Sequence, residues 1–298
     1  MKDDQALYLG IDIGGGSVRG VLINREGQLF AENKIATNRE WTNSEFLDQL
    51  IHFIETFQNY SFESIGIGSP GPLNTNEGII HHSANLVNLF QVPVVPTLQK
   101  KFTQKILLNN DANCAALGEY HFGKGKGSQS LLVLTLGTGL GAGWVQGGNL
   151  FNGFNGNGFE LGHVTVSMNG ALCGCGQKGC VESYFSARGF LNRYKEQTGV
   201  LLESAKVFFD KVELGEEIAE KIFSEGVEAL AEAIRAAVHL VNPDKIVLVG
   251  GLTQSFYLME KPLKTHLKNK IFPELYNHFH LEAGSNIAGS YGAATLCF

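Results

Sequence analysis

Apolar residues in this chain gather in short runs that end in glycine. The run YLGIDI (residues 8–13) meets Gly14-Gly15-Gly16-Ser17, and a second apolar run comes next at 18–23. The run LVLTL (132–136) meets Gly137-Thr138-Gly139-Leu140-Gly141, and it too is followed by an apolar segment. Short apolar runs bounded by turn residues predict strands. Both pairs then pass through a polar, glycine-containing hairpin and end in Leu-Phe, at Phe30 and Phe151. The likeness of 8–30 to 132–151 predicts an internal repeat, and so two related domains. Shorter strands are predicted at 65–68 and 106–108, and KIVLVGG (245–251) repeats the strand-then-glycine form.

Between the strands the period lengthens. Phe46, Leu47, Leu50, Ile51, Ile54 and Phe57 predict a helix with Ser44 as its N-cap. NCAALGEY (113–120) predicts a helix entered through Asn110-Asp111. A long pattern over 216–241, carrying Ile218, Ile222, Phe223, Val227, Leu230, Ile234 and Val238, stops at Asn242-Pro243. Strands mixed with helices make an α/β protein. The domain boundary is expected near residues 111–115.

The totals narrow the class. The chain has 298 residues, 44% hydrophobic and 17% charged, a globular composition with room for two cores. Its net charge of −6 argues against a broad nucleic-acid surface, which needs clustered lysine and arginine. The opening MKDDQALYLG lacks the basic and apolar segments of a signal peptide. The most apolar stretch, 130–145, is interrupted by glycines and is expected as strand, turn and strand rather than a membrane span. Glycine is in excess, with 37 residues where average usage is about 7%.

That excess points to chemistry. A glycine turn after a strand can aim several backbone N–H groups at one anion. Three turns qualify: Gly14 to Ser17, Gly137-Thr138-Gly139 and Gly250-Gly251. A plain hairpin is the simpler use of any one of them, and their recurrence carries the phosphate reading. A dinucleotide fingerprint is excluded, because a strand and not a helix follows the first turn. The near-P-loop GEYHFGKG (118–125) fails as well, since Gly125 stands where Ser or Thr holds Mg²⁺ and a helix precedes it. Asp12, just ahead of the first turn, is placed either for a Mg²⁺–nucleotide or to stabilise the turn. Asp111, between a strand and a helix, suits an N-cap, a general base taking a hydroxyl proton, or both at once.

CGCGQKGC (173–180) puts three cysteines in eight residues, with only Cys114 and Cys297 elsewhere. Three thiols cannot pair off, and a C-x-C bridge is strained. With no export signal the knot points to a reducing, cytoplasmic setting and to metal. His163, ten residues before Cys173, completes a Cys₃His tetrahedral shell, so His163, Cys173, Cys175 and Cys180 are expected to hold a structural zinc. Zinc on one imidazole nitrogen leaves the other N–H to donate outside the shell. With Glu160 and Glu182 flanking the knot, the set is one donor and two acceptors, suited to sugar hydroxyls. The plainer reading of both glutamates is solvated surface charge.

Assembled, these residues resemble the ROK family of repressors, uncharacterised reading frames and sugar kinases. The resemblance runs through DIGGGS (12–17), SPGP (69–72), SANL (83–86), NNDANCAALGE (109–119), LTLGTGLGAG (134–143), ELGH (160–163), CGCGQKGCVES (173–183) and NPDKIVLVGG (242–251). It implies a two-domain actin-like ATPase (ribonuclease H-like) α/β fold with a central cleft. The first domain is then 1–112 plus the terminal helix of 286–298, and the larger, zinc-bearing domain is 113–285. It implies Mg²⁺- and ATP-dependent phosphorylation of a hexose, glucose first, with Asp111 as base on the sugar 6-hydroxyl. Gly71, Asn85, Asn110, Asp111, Glu160, His163 and Glu182 would hold the sugar. Asp12, Gly14, Gly15, Gly16, Ser17, Gly137, Thr138 and Gly139 would hold the metal and phosphates, and Gly250 and Gly251 would lie near the adenosine. A homodimer is implied too.

Three stretches depart from the family pattern. Gly16-Ser17 stands where Thr-Lys is common, Phe159 replaces a small residue before Glu160, and 87–90 replaces a Pro-Gly-Trp type stretch beside the sugar pocket. An N-acetylmannosamine or N-acetylglucosamine kinase is therefore the alternative. A DNA-binding repressor is disfavoured by the acidic balance and by a first glycine turn at residue 14, and a sugar sensor without catalysis by the presence of Asp111.

Overall fold

The structure is a computed structural model that describes residues 6–83, 86–285 and 288–298. The first apolar pair forms β1 (Tyr8–Ile13) and β2 (Ser17–Ile23), followed by β3 (Leu29–Ala36). With β4 (Ser64–Ser69) and β8 (Lys105–Asn110) they make a five-stranded sheet in the order β3-β2-β1-β4-β8. The second pair forms β9 (Ser130–Leu136) and β10 (Leu140–Gln146), followed by β11 (Asn149–Leu150). With β12 (Lys245–Val249) and β13 (His280–Ala283) the second sheet reads β11-β10-β9-β12-β13. The repeat thus extends past the hairpins. In each sheet an antiparallel ribbon occupies one edge and two parallel strands the other. The central strands β1, β4, β9 and β12 are almost wholly buried, which explains their unbroken apolar runs.

Helix α1 (Asn43–Glu55) begins earlier than expected. Its N-cap is Thr42 and not Ser44, because Thr42 and Glu45 bond reciprocally: the Glu45 N–H donates to Thr42 Oγ1 and the Thr42 N–H to Glu45 Oε2. Strands β5 (Leu73–Asn74), β6 (Ile79–His82) and β7 (Phe90–Val92) form a small third sheet, and α2 (Val94–Leu98) comes after it. Helix α3 (Asp111–Phe122) starts directly from β8. Helices α4 (Ala187–Thr198), α5 (Ala205–Glu213), α6 (Glu217–Val241), α7 (Phe256–Lys270) and α8 (Pro273–Tyr276) accompany the second sheet. Helix α6 ends as its sequence directs, with Asn242 in the left-handed region ahead of Pro243.

The chain forms two compact units. One takes in residues up to Gly127, Gly143–Phe159 and the terminal helix α9 (Ala288–Thr295). The other takes in Ser128–Ala142 and the chain from Glu160 through β13. This division keeps α3 with the first sheet, where a boundary at 112/113 would cut it off. The reason is α9, whose backbone lies against both α3 and the sheet. A Cβ on Gly66 of β4 would collide with the Ala293 carbonyl, and one on Gly118 of α3 with that of Ala288. Among the described residues no helix is long and apolar enough to cross a membrane.

Candidate active site

In the first unit β8 runs directly into α3, and the candidate residues Asn110 and Asp111 sit at that junction. Asn110 is the helix N-cap, its Oδ1 accepting from the N–H of Ala112 (2.8 Å) and of Asn113 (3.4 Å). Asp111 is therefore the first helical residue and not the cap, and its Oδ1 accepts from the Ala112 N–H at 2.8 Å. The helix start favours its charged form, but burial dominates and raises its pKa. Asp12, in β1, is pushed up to about 7 by burial and then by the charge of Asp111, with Arg19 pulling back. A Cβ on Gly289 would stand 2.6 Å from Asp12 Oδ2, so α9 packs against this carboxyl as well. Both carboxyls are desolvated, and the charge of Asp111 raises the proton affinity of Asp12.

A network of asparagines holds this corner, and sequence reasoning missed it. Asn109 donates to Asn152 Oδ1 at 2.8 Å, while its own Oδ1 accepts from Asn113 Nδ2 at 3.0 Å and from the Asn110 N–H at 2.8 Å. Asn157 clasps Leu73, accepting from its N–H at 2.9 Å and donating to its carbonyl at 2.7 Å. Gly71 sits between: a Cβ there would meet Asn110 Nδ2 and Asn157 Oδ1, each at 3.6 Å. The signal was the run FNGFNGNGF (151–159), three Asn-Gly steps in nine residues, in which each amide can brace a turn. Asn85 lies outside the described residues.

The glycine turns behave differently from one another. At the first, the Gly14 N–H donates to the Ser17 carbonyl at 2.9 Å, and Thr37 braces the turn through the Gly14 and Gly16 carbonyls. A Cβ on Gly16, Gly137 or Gly251 would meet nothing within 4 Å, and none of the three has a left-handed φ. The chain's own packing and backbone therefore do not require glycine at these positions. Gly250 is glycine for internal reasons: its φ is +100°, and a Cβ on it would stand 2.6 Å from the Leu136 carbonyl oxygen. Gly139 is closed by a neighbour, since a Cβ there would strike the Glu182 carboxylate. The turn at Gly137 and Thr138 is tied to the start of α4, as their carbonyls accept from the Ala187 and Arg188 N–H groups at 2.9 and 3.3 Å.

In the second unit the ligand atoms of His163, Cys173, Cys175 and Cys180 all lie within 4.8 Å of one another. A tetrahedral zinc with Zn–S near 2.3 Å has S···S edges of about 3.8 Å. Cys175 and Cys180 stand 3.7 Å apart, and Cys173 Sγ is 3.8 Å from His163 Nδ1. The donor set fits the ion in kind, number and spacing. Burial pushes the Cys173 thiol up to about 12. Glu182 joins the knot to the glycine turn: Oε1 is 3.7 Å from Cys173 Sγ, and Oε2 accepts from the Leu140 N–H at 2.9 Å. Glu160 and His163 are exposed at either end of one short 3₁₀ turn, Leu161–His163, and the His163 N–H donates to the Glu160 carbonyl.

Comparison with known proteins bears on the family and the fold. The ROK family model matches residues 8–298. A glucokinase of Thermotoga maritima is 33% identical over 304 residues, covering 97% of this chain and 96% of the relative. An N-acetyl-D-glucosamine kinase of Haemophilus influenzae is 30% identical, covering 97% and 99%. The crystal structure of a ROK family glucokinase from Streptomyces griseus, in complex with glucose and AMPPNP, superposes with a TM-score of 0.83 at 27% identity, covering 98% of this chain and 99% of that one. With an actin-like fold of repeated sheets and a family match over nearly its whole length, the chain belongs to the ROK family.

Proposed function

We propose that the protein is an ATP-dependent hexose kinase that phosphorylates the 6-hydroxyl, with glucose as its first substrate. The observation that carries this reading is Asp111, a desolvated carboxyl whose capping task has been taken by Asn110. In this reading Asp111 accepts the proton of the sugar hydroxyl as its oxygen attacks the γ-phosphorus, and the bond to ADP breaks. Gly14, Gly15, Gly16, Ser17, Gly137, Thr138 and Gly139 receive the phosphates, Gly250 and Gly251 border the adenosine, and Asp12 faces the Mg²⁺. Gly71, Asn85, Asn110, Glu160, His163 and Glu182 hold the sugar. Zinc on the Cys₃His set would hold the loop rigid and fix the imidazole. With Nδ1 turned to the thiols, Nε2 is the nitrogen that donates to a hydroxyl. Reduced, metal-binding thiols suit a cytoplasmic setting, and a homodimer is part of the same reading.

An acetylated hexosamine is the second substrate class, supported by the N-acetyl-D-glucosamine kinase that resembles this chain at 30% identity. The test is Mg-ATP turnover, read as ADP release, with glucose, mannose, fructose, N-acetylglucosamine and N-acetylmannosamine. The expected result is the highest kcat/KM for glucose. A preference for an acetylated sugar moves the substrate and leaves the mechanism, while no turnover from folded, zinc-loaded protein rejects the kinase reading.

Gly137→Ala tests the glycine argument directly. The added methyl meets no protein atom within 4 Å, so Tm should stay within about 1 °C of wild type, a surface change of small effect. The KM for ATP should rise about tenfold or more, as one lost phosphate contact of about 1.4 kcal/mol implies. An unchanged KM for ATP shows that this turn does not meet the nucleotide.

A further inference from the structure

Phe159 has a backbone that its side chain disfavours. Its φ is +63°, in the left-handed region where glycine is at ease and a bulky residue is strained. The other non-glycine residues with positive φ among those described are Gln91, Asn169 and Asn242, and asparagine tolerates this region well. Core packing does not demand a ring here, since Phe159 is only half-buried. The strain is offset by aromatic contact. The Phe159 ring lies 5.9 Å from that of Trp144, and Trp144 lies 5.4 Å from Phe151, whose N–H donates to the Trp144 carbonyl at 2.8 Å.

The loop ahead of Phe159 is pinned, and the residue after it carries a functional side chain. The Asn152 carbonyl accepts from the N–H groups of Gly156 and Gly158 at 3.1 and 3.0 Å, and the Asn152 and Asn157 side chains anchor the same loop to Asn109 and Leu73. The chain therefore arrives at Phe159 with no slack. The next residue is Glu160, at φ −71° and ψ 58°, whose carbonyl closes the turn that carries His163. A left-handed residue reverses the chain direction, so the torsions at 159 set the direction in which the backbone enters Glu160. Strain held by surrounding contacts at such a place is a recurrent mark of functional positioning.

We propose that Phe159 is a positioning residue: its ring, held on Trp144, locks the left-handed turn that aims Glu160 at the sugar, and so it sets sugar affinity. This rests on the reading of Glu160 as a sugar ligand. A ring that only filled space would change stability alone, whereas a ring that locks a turn changes one substrate's KM and not the other's.

The experiment measures KM for sugar and ATP, kcat, Tm and sugar Kd by calorimetry for wild type, Phe159→Ala, Phe159→Gly, Phe159→Tyr and Glu160→Gln. In Phe159→Ala the sugar KM and Kd should rise about tenfold, with kcat and the KM for ATP within about twofold, a loss of roughly one contact's worth of alignment. Phe159→Gly relieves the backbone and also lacks the ring, so its sugar KM should rise as well. Phe159→Tyr keeps the ring and should restore wild-type values. If Phe159→Ala and Phe159→Gly keep the wild-type sugar KM, or shift the KM of sugar and ATP together with a fall in Tm, the proposal is overturned. If Glu160→Gln leaves sugar binding intact, the assignment of Glu160 falls on its own, which separates that failure from a failure of Phe159 to act on it.

Discussion

Asp111→Asn should lower kcat by roughly 10²- to 10⁴-fold, the range for loss of a general base, while sugar Kd by calorimetry changes by less than about threefold. Asparagine has nearly the same shape, and the cap of α3 is supplied by Asn110, so the helix start survives the change. In the proposed reading the variant loses the carboxylate that takes the proton, and Asp12 does not replace it because it faces the metal. A variant that keeps near-normal kcat shows that Asp111 is not the base.

The same substitution carries a stability signature. Burial raises the pKa of Asp111, and Asp12 is raised to about 7 partly by the charge of Asp111. The folded protein thus holds these protons more tightly than the unfolded chain, where aspartate titrates near 3.9. For such a group the native state is penalised as pH rises. Stability contributed by these carboxyls is greatest near pH 4, falls toward pH 7 and is level above it. Removing one charge removes part of that penalty. Asp111→Asn should therefore have a higher Tm than wild type at pH 8, and the gap should close toward pH 4. In wild type kcat/KM should rise with pH above the usual aspartate range, since burial raises the pKa of Asp111 and the base must be ionised. A Tm gap that is constant with pH would mean that the two carboxyls do not share a desolvated corner.

How much the sequence disclosed depends on how local each signal is. Strands β1, β2, β9 and β12 were legible because they are largely buried and so carry apolar runs between glycine turns. Helix α6 was legible from its period and its Asn-Pro stop. The small sheet β5–β7 was not, since its strands are two to four residues long and their pairing depends on distant partners. Helix α7 was hidden by Pro262 within it. At the site, the Cys₃His cluster could be read because three of its four residues fall within eight positions. The asparagine network was signalled only by its Asn-Gly run and its pairing was not legible, because Asn109 and Asn152 are separated by 43 positions and only the fold brings them together. The same holds for Glu182: its place in the motif was visible, but its bond to Leu140, 42 residues away, was not. The cap of α3 was open to misjudgement for a different reason, since Asn110 and Asp111 are both good capping residues and adjacent, and only backbone torsions distinguish them.

Cys175→Ser should reduce bound zinc from about one equivalent per chain to near none, because a serine hydroxyl does not replace a thiolate in a four-ligand shell. Cys175 is the exposed cysteine of the three, so the substitution removes a ligand without opening a cavity in the core. The consequences should reach further than the sugar. Cys173 adjoins Glu182, and Glu182 holds the Leu140 N–H at the end of the glycine turn. Loss of the ion frees the loop, the carboxylate loses its fixed place, and the turn at Gly137 to Gly139 loses a brace. The KM for sugar and the KM for ATP should therefore both rise by about tenfold or more, with Tm lower by several degrees, as a loss of about 2 kcal/mol implies in a chain of this size. This pattern is distinct from that of Phe159→Ala, which moves the sugar alone, and from that of Gly137→Ala, which moves ATP alone. Wild-type protein that contains no zinc by metal analysis, or a zinc-free variant in which only the sugar KM changes, breaks the link through Glu182 and leaves the knot and the glycine turn as independent devices.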